Sequence, residues 1–545
     1  MSNSQPPGGS RGPEYLEHGG GSPLLAHREP SSGGRGGRRV AVLAGAGALG
    51  LAVVGGGVWA AASFFATGAQ PSQALPASTL GYVSVDLDPG GAQKIEAIRT
   101  LRKFPAFREQ IGLNTEDDVR RKIFDEIQKE AHCDGLDYAD DVEPWLGERA
   151  AVAAVDTGAK FPSPVFVVQV SDEAKAEDGL AALARCSKDA ADHTGWAISD
   201  GWAVLAETDQ IADGVVRDAD AAPLSDDADF QQWSGAAGDA GIVSMYAAPE
   251  AGEYLGRLAE MGTPGAMSSS SASGTVPQSG LTTGDPAEVF KDFQGAAATI
   301  RFKDGALELE LAADAAMTGK GAYSGDHGDD TLATFPTDTA AAVGLGFSKG
   351  WFTDLVDQFA TLLGTTSEEF LKMASAQTGL DLPADAETVA GESFAVGLGG
   401  DVDPEALVNS SDGSDVPVAA KIKGDTDAIE SVLDKVRGQM GGGPTPIDSD
   451  SEGDVVAVGP NPAYRQEVLK DGGLGESEAF RNVVPHAAES SAVLFVNFDV
   501  GDNWLAKLAG DDQQVSDNLA PLQGLGMSAW QSGDTGHALL RLTTD

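Results

Sequence analysis

The sequence predicts an α+β protein with two tandem homologous domains, each a mostly antiparallel sheet covered by helices, after one N-terminal transmembrane helix. Three observations predict this class. One long apolar run near the N-terminus carries no charge. The chain beyond it matches itself, in the same order, over about 200 residues, as internal repeats do. Within each copy, strands come in hairpins and helices in groups, without the regular alternation of a parallel βαβ sheet.

The composition limits the function before any motif is considered. The chain has 545 residues, of which 41% are hydrophobic, and this is enough for packed cores. Its formal net charge of -47 argues against a broad nucleic-acid interface, because phosphate contacts need clustered Lys and Arg. The two cysteines are too few for a disulfide-dense scaffold or a Cys-rich metal cluster.

The N-terminal region predicts a membrane anchor. Residues 1–39 are rich in Gly, Pro, Ser and Arg and are expected to form a disordered cytoplasmic tail. Residues 40–66 carry no charge and are long enough to span a bilayer as a signal anchor. Arg35, Arg38 and Arg39 precede this run, so the positive-inside rule places the N-terminus in the cytoplasm and the bulk of the chain outside the plasma membrane. A cleaved signal peptide is the alternative.

A repeated turn motif defines the two copies. Its spacing is Gly-Leu-Asp, nine residues, then Gly-Glu. The residues are Gly135, Asp137, Gly147 and Glu148 in the first copy, and Gly379, Asp381, Gly391 and Glu392 in the second. Other matches in the same order pair Leu75 with Phe335, Thr79 with Thr339, Leu224 with Leu474 and Phe230 with Phe480. The domains are therefore predicted at 75–314 and 335–545, with linkers at 67–74 and 315–334 and a disordered insertion at 262–287.

Hydrophobic periodicity gives each copy the same order of elements. The order is strand, helix, helix, two strands, helix, short strand, short helices, strand, helix and a final hairpin. In the first copy these are predicted at 80–87, 93–103, 117–131, 150–156, 165–170, 174–188, 202–206, 242–246, 254–260, 296–302 and 307–311. In the second copy they are predicted at 340–347, 352–363, 368–377, 394–398, 416–422, 426–437, 455–458, 492–498, 504–509, 525–530 and 538–542.

Both cysteines lie in the first copy. Cys133 and Cys186 align with Gln377 and Gln439, so both are absent together from the second copy. Joint absence favours a bonded pair, and disulfides persist outside the cell membrane. The sequence predicts a disulfide between the second helix and the helix at 174–188. Two buried free thiols are the alternative.

The motifs that suggest catalysis have simpler structural interpretations. Ser348 lies in a G-x-S-x-G pattern between a strand and a helix, as in a nucleophile elbow. It aligns with Asp88, and Ser and Asp share the ability to cap helices, so we expect a cap. A triad would also need a histidine, and His486 and His537 have no supporting sequence context. The sequence predicts no catalytic residues and no enzyme activity.

The acidic motifs are likewise expected to be structural. Asp448, Asp450 and Glu452 resemble the start of an EF-hand loop, but Gly459 stands where the bidentate Glu belongs. The repeated Asp and Glu of the turn motif are interpreted as caps and turns rather than as paired acid–base catalysts. The histidines lack zinc-ligand spacing and no nucleotide-binding fingerprint occurs. The sequence therefore predicts neither a metal nor a cofactor.

Three segments carry a family resemblance: LPASTLGYVSVDLDP, GLDYADDVEPWLGERAAVAAVD and LSDDADFQQW. With the tail and anchor before them, they resemble the actinobacterial single-pass membrane proteins of domain-of-unknown-function family three-three-five-two. The resemblance covers about 75–545. It implies a membrane anchor and an envelope location, and it assigns no role to any residue.

The sequence therefore favours a membrane-anchored extracytoplasmic protein that binds or scaffolds at the cell envelope. Its expected partners are the membrane and an envelope protein or ligand, without nucleic acid. An extracytoplasmic solute, lipid or peptide carrier is one alternative, and an envelope hydrolase with a non-standard site is another. The oligomeric state is left open.

Overall fold

A computed structural model of the chain describes most of the region after the apolar run. The described residues are 69–86, 92–110, parts of 120–128, 136–186, 195–239, 241–254, 293–315, 327–362, 365–403, 410, 412–440, 447–501, 504–505 and 512–545. The predicted tail, anchor and insertion, at 1–39, 40–66 and 262–287, lie outside them. No helix among the described residues has both the length and the apolarity needed to cross a bilayer.

All described strands form one sheet in which every neighbouring pair is antiparallel. The strands are β1 Thr79–Asp86, β2 Leu146–Val155, β3 Ser163–Val170, β4 Gly195–Ser199, β5 Trp202–Ala206, β6 Val243–Ala247, β7 Ala296–Lys303, β8 Ala306–Asp314, β9 Ala341–Gly346, β10 Ser393–Leu398, β11 Val418–Lys423, β12 Ser449–Glu452, β13 Val455–Val458, β14 Ser490–Asn497, β15 Leu522–Ser532 and β16 Thr535–Thr544. The predicted α+β class with a large antiparallel sheet is confirmed.

The α-helices connect these strands. They are α1 Ala92–Leu101, α2 Pro105–Gln110, α3 Glu173–Cys186, α4 Asp209–Ala221, α5 Ala228–Ala236, α6 Trp351–Leu362, α7 Ser367–Thr378, α8 Ala384–Ala390, α9 Thr426–Met440, α10 Pro462–Val468, α11 Glu478–Val483 and α12 Gln513–Leu519. The helix α4 is longer than the short helices expected there. Thr208 caps its first turn, and Ala212, Val215 and Ala219 follow as one buried stripe.

The sheet consists of two halves with one strand order. The first half, β1–β8, is ordered β4-β5-β3-β2-β1-β6-β7-β8, and the second half, β9–β16, is ordered β12-β13-β11-β10-β9-β14-β15-β16. The halves join through the pair β8 and β16, which we call the seam. At its centre Glu310 lies opposite Leu539. An approximate two-fold axis, perpendicular to the sheet at this pair, relates one half to the other.

Residues that align between the two copies make matching contacts. Thr79 and Thr339 each donate from Oγ1 to the carbonyl of the proline three residues earlier, at 2.7 Å. The backbone N–H of Leu224 bonds to Leu75 O at 2.7 Å, and that of Leu474 bonds to Phe335 O at 3.0 Å. The two halves therefore share local geometry as well as strand order.

One face of the sheet, the core face, carries most of the buried apolar side chains. In the first half, Tyr82 and Val167 lie beneath α4 and α5, with Trp233 of α5 buried against them. In the second half, Phe495 lies beneath α10 and α11 and contacts Phe480. Strand side chains alternate between faces, so these residues fix the register of the whole sheet.

Residues 69–74 and 327–334, which the sequence suggests are linkers, pack into the fold. Each contains a 3-10 helix, at Pro71–Gln73 and Leu332–Thr334. Leu332 is fully buried on the core face of the second half. It fits because Gly344 of β9 lies beneath it, where an added Cβ would come within 2.9 Å of Leu332 Cβ.

A buried lysine supports the start of the second half. Lys421 of β11 is 3% exposed and donates from Nζ to Thr334 Oγ1 at 2.7 Å and to Lys470 O at 3.2 Å. Burial lowers the pKa of Lys421 from 10.5 to about 8. In the unfolded chain the amine keeps its ordinary pKa, so between these two values the unfolded state binds more protons than the folded state.

We expect the free energy of unfolding to rise with pH between about 8 and 10.5 because of Lys421. Urea titrations of residues 67–545 should show this rise, about 2–3 kcal/mol, in the difference between wild type and Lys421→Met. Taking the difference removes the contribution of tyrosines that titrate in the same range. A difference that stays flat across this pH range would contradict the assignment.

Candidate functional site

In both halves the repeated aspartate of the turn motif donates its backbone N–H to the carboxylate of an aspartate four residues later. Asp137 N donates to Asp141 Oδ2 at 2.8 Å, and Asp381 N donates to Asp385 Oδ2 at 2.7 Å. The Asp137 carboxylate also accepts Ala139 N at 2.9 Å and begins the π-helix Tyr138–Val142. These contacts are those of turns and caps.

Two glycines of the turn motif end helices in the second half. Gly379 ends α7 with a left-handed φ of 63°, and Gly391 ends α8 with φ of 65°. An added Cβ at Gly391 would lie 2.4 Å from Lys423 O, so only glycine fits there. Glu148 and Glu392 are exposed. Gly147 lies against Gln169, and Gly135 lies outside the described residues.

The structure does not place Ser348 in a cap or a triad. Its carbonyl accepts Trp351 N at 3.1 Å, and α6 begins only at Trp351, so the side chain lies too early to cap the helix. Ser348 Oγ is buried and has no hydrogen-bond partner within the described part of the chain. The capping expectation was wrong, and a nucleophile would need a base at hydrogen-bond distance.

The EF-hand-like segment forms strand β12, whose Asp450 is used in an ion pair. Asp450 Oδ2 accepts Arg465 Nε at 2.8 Å. Across the residues that the structure describes, His, Cys, Asp and Glu side chains nowhere group in threes that could hold a metal ion.

Cys133 and the side chain of Cys186, at the end of α3, lie outside the described residues. The disulfide between them therefore stays a prediction. The aligned positions of the second half do meet. Gln439 of α9 donates from Nε2 to Thr378 O of α7, next to Gln377. A bond between the cysteines would tie together the helices that correspond to these two.

The sequence missed a three-ring stack beside the seam. The ring centroid of Trp530 lies 4.3 Å from that of His486 and 5.0 Å from that of His537, with nearly parallel planes. Trp530 and His537 are direct partners on β15 and β16, and the alignment of the hairpins pairs them with Arg301 and Glu308 of the first half. The alignment of the hairpins was the only sequence signal that could have indicated that Trp530 and His537 lie side by side.

Across the seam from the stack lies a buried ion-pair cluster on the core face. Arg301 Nε lies 2.8 Å from Glu308 Oε2, and Arg301 also pairs with Glu310. Arg541 Nη1 of β16 lies 3.6 Å from Glu308 Oε1. The side chain of Glu308 is 3% exposed. Glu308 therefore links β7 to the second half through two arginines.

Three buried polar atoms beside the seam have no hydrogen-bond partner among the described residues. They are Ser528 Oγ, His537 Nδ1 and Arg541 Nε, all on the core face of β15 and β16. Burial lowers the pKa of His537, which favours the neutral ring. The geometry includes no serine–base hydrogen bond, so it does not form a nucleophilic pair.

The opposite face carries a continuous apolar row across seven strands: Ile300, Leu309, Leu540, Met527, Leu494, Val343 and Val396. Each is the direct cross-strand partner of the next. We call this row, with Leu311, the apolar strip. Leu309, Leu311, Val343 and Val396 are 37%, 40%, 42% and 36% exposed.

The two halves differ in how helices cover this face. Ala97 and Leu101 of α1 pack onto β6 and β7 through Val243 and Phe302. The aligned helix α6 packs on α7 and α8 instead. The central strands of the second half consequently keep their apolar side chains partly open to solvent.

Comparison with known proteins gives a family and no activity. Residues 42–200 match the family described as Protein of unknown function (DUF3352). The predicted family is therefore confirmed over this segment, and the actinobacterial origin stays a prediction. No curated protein and no solved structure matches the chain.

We predict that removing the Glu308 carboxylate destabilises the fold strongly. Glu308→Ala leaves two buried arginines short of a partner and should cost about 3–5 kcal/mol in urea titrations of residues 67–545. Glu308→Gln should cost less, because an acceptor oxygen remains. Glu489→Ala, whose carboxylate is 67% exposed beside His486, is the matched control and should change little. Equal losses for Glu308→Ala and Glu489→Ala would contradict the role of the seam.

The disulfide prediction is tested with a thiol-reactive label on the unfolded full chain. Neither Cys133 nor Cys186 should react before reduction, and both should react after it. A Cys186→Ser variant should then expose Cys133 to the label without reduction. Labelling of both cysteines without reductant would show two free thiols.

Proposed function

We propose that this chain is a single-pass membrane protein whose extracytoplasmic region binds an apolar ligand on the apolar strip. The strip is the observation that carries the proposal. Contiguous exposed apolar surface is uncommon on soluble proteins and is typical of binding sites. Here it runs through the centre of the sheet, where solvent-facing polar residues would be expected on an antiparallel sheet.

A membrane location would supply such a ligand. The apolar run at 40–66, with Arg35, Arg38 and Arg39 before it, has the length and charge pattern of a signal anchor. The described region begins at Ala69, whose carbonyl accepts a hydrogen bond from Arg149 Nη1. Only a few residues separate the proposed anchor from the sheet, so the strip would lie near the bilayer and its acyl chains.

The duplication contributes directly to the proposed site. We infer that the halves are tandem repeats, because their strand order and aligned contacts agree. The strip draws Ile300 and Leu309 from the first half and Met527, Leu494 and Val343 from the second. Neither repeat alone carries the whole row, so binding would require both.

Other functions have less support in the described geometry. Hydrolysis would need a nucleophile with a base, and Ser348 Oγ and Ser528 Oγ have none at hydrogen-bond distance there. Scaffolding through a protein partner would use the same strip, so the nature of the bound molecule must separate it from lipid binding. The row contains apolar side chains only, so it favours a ligand that is itself apolar, such as an acyl chain.

Photocrosslinking in the membrane tests the proposed ligand. The full chain carries p-benzoylphenylalanine at Leu309 or at Val343 and is irradiated in intact cells. We expect tryptic peptides with added masses in the range of membrane lipids. The same probe at Met373 of α7, which is 52% exposed and outside the strip, is the matched control.

The outcomes separate the candidates. Lipid adducts at Leu309 and Val343 that exceed those at Met373 support ligand binding, and a Leu540→Asp change beside Leu309 should reduce them. Crosslinks to one protein, without lipid, would favour scaffolding. Equal adducts at all three positions would show that the strip has no preference for lipid.

A further inference from the structure

One segment of this acidic protein is basic. Helices α1 and α2 with their connection, residues 92–110, contain five Lys and Arg and two Glu, a net charge of +3. The basic residues are Lys94, Arg99, Arg102, Lys103 and Arg108. The whole chain carries -47. A local reversal of sign marks a surface with its own electrostatic preference.

The fold exposes three of these basic side chains. Ala97, Ile98 and Leu101 are buried against the sheet side of α1. Arg99 and Arg102 are exposed, and Ile95, four residues before Arg99, is 47% exposed on the same side. Arg108 of α2 is also exposed. An exposed apolar side chain among arginines is typical of helices that lie on membrane surfaces.

The two-fold relation between the halves supplies an internal comparison. The aligned helix α6 contains Asp354 and Asp357 and neither Lys nor Arg. It lies on the other side of the seam from α1. The basic face is therefore a property of one side of the molecule and not of the repeated fold.

Ala69, the first described residue after the proposed anchor, lies at the end of β1 that leads into the basic helices. Ala69 is held by Arg149, and Arg149 Nε lies 3.6 Å from Asp86 Oδ2, at the last residue of β1. The helix α1 begins at Ala92, a few residues after Asp86. The described chain therefore starts at the end of β1 from which it continues to α1, with Ala69 on the core face and α1 on the opposite face. Lys103 further fixes this end to the second half through Thr544, with Nζ to Oγ1 at 2.9 Å.

We propose that the face of α1 formed by Ile95, Arg99 and Arg102 docks on the anionic lipid headgroups of the bilayer that holds the anchor. The inference rests on the proposed membrane location. The acidic remainder of the chain is repelled by an anionic surface, so the basic face is the one that turns toward it. This orientation brings α1, and the apolar strip that continues from it, to the membrane side.

Docking is tested on the full chain reconstituted in lipid nanodiscs. An environment-sensitive fluorescent amino acid replaces Ile95, and the discs contain a nitroxide-headgroup lipid as quencher. We expect severalfold stronger quenching in discs with anionic phosphatidylglycerol than in phosphatidylcholine discs. The difference should vanish in about 1 M NaCl, where the Debye length falls to about 3 Å.

Charge reversal supplies the matched variants. Arg99→Glu with Arg102→Glu should remove the extra quenching. Lys175→Glu with Arg217→Glu, which reverses two exposed charges on α3 and α4, should leave it intact. The same probe at Met373 should show little quenching in either lipid.

Each other result overturns the inference in an identifiable way. If the chain remains in the discs but the probe at Ile95 is quenched no more than the probe at Met373, the docking proposal is wrong while the proposed membrane anchor is supported. If the two double reversals act alike, net charge and not the basic face controls the signal. If the chain does not stay with the discs, the proposed anchor fails and docking fails with it.

Discussion

The architecture depends on the antiparallel pairing of β8 with β16. Each half ends in one of these strands, and each strand alone would present an unpaired edge of N–H and C=O groups. Their pairing, from Thr535 opposite Asp314 to Thr543 opposite Ala306, satisfies both edges at once. It also produces the approximate two-fold axis, so each strand of one half has a counterpart in the other.

At the seam the two halves differ in chemistry. The hairpin position held by Arg301 and Glu308 in the first half is held by Trp530 and His537 in the second. Glu308 pairs with Arg301 in its own hairpin and with Arg541 across the seam, while Trp530 stacks with His486 and His537. A buried charge needs a partner, so Arg541 of the second half completes the ion-pair cluster of the first.

Local signals in the sequence predicted local structure well. Alternating apolar residues located most strands, and matched pairs such as Thr79 and Thr339 proved to make the same bond in both halves. Ser348 was misjudged, because a motif at a strand–helix junction does not tell how many residues pass before the helix begins. The pairing of β8 with β16 had no sequence signal, since two alternating edge strands do not specify which edges meet. For the same reason, the ring stack and the row of the apolar strip became visible only in three dimensions.

The solvent exposure of the apolar strip depends on where the aligned helices α1 and α6 pack. On α1, the small Ala97 allows a close approach to the sheet, and Leu101 completes the contact. The first turn of α6 is held by a ring stack. The ring centroid of Trp351 lies 4.3 Å from that of Phe347, the residue directly after β9. This stack fixes the start of α6 at the strand end, and the helix continues onto α7 and α8. The same fold therefore covers β6 and β7 with α1 in the first half, whereas the aligned α6 packs on α7 and α8 and Val343 and Val396 stay accessible in the second. A difference in where one helix packs is thus enough to expose an apolar surface without a new element of secondary structure.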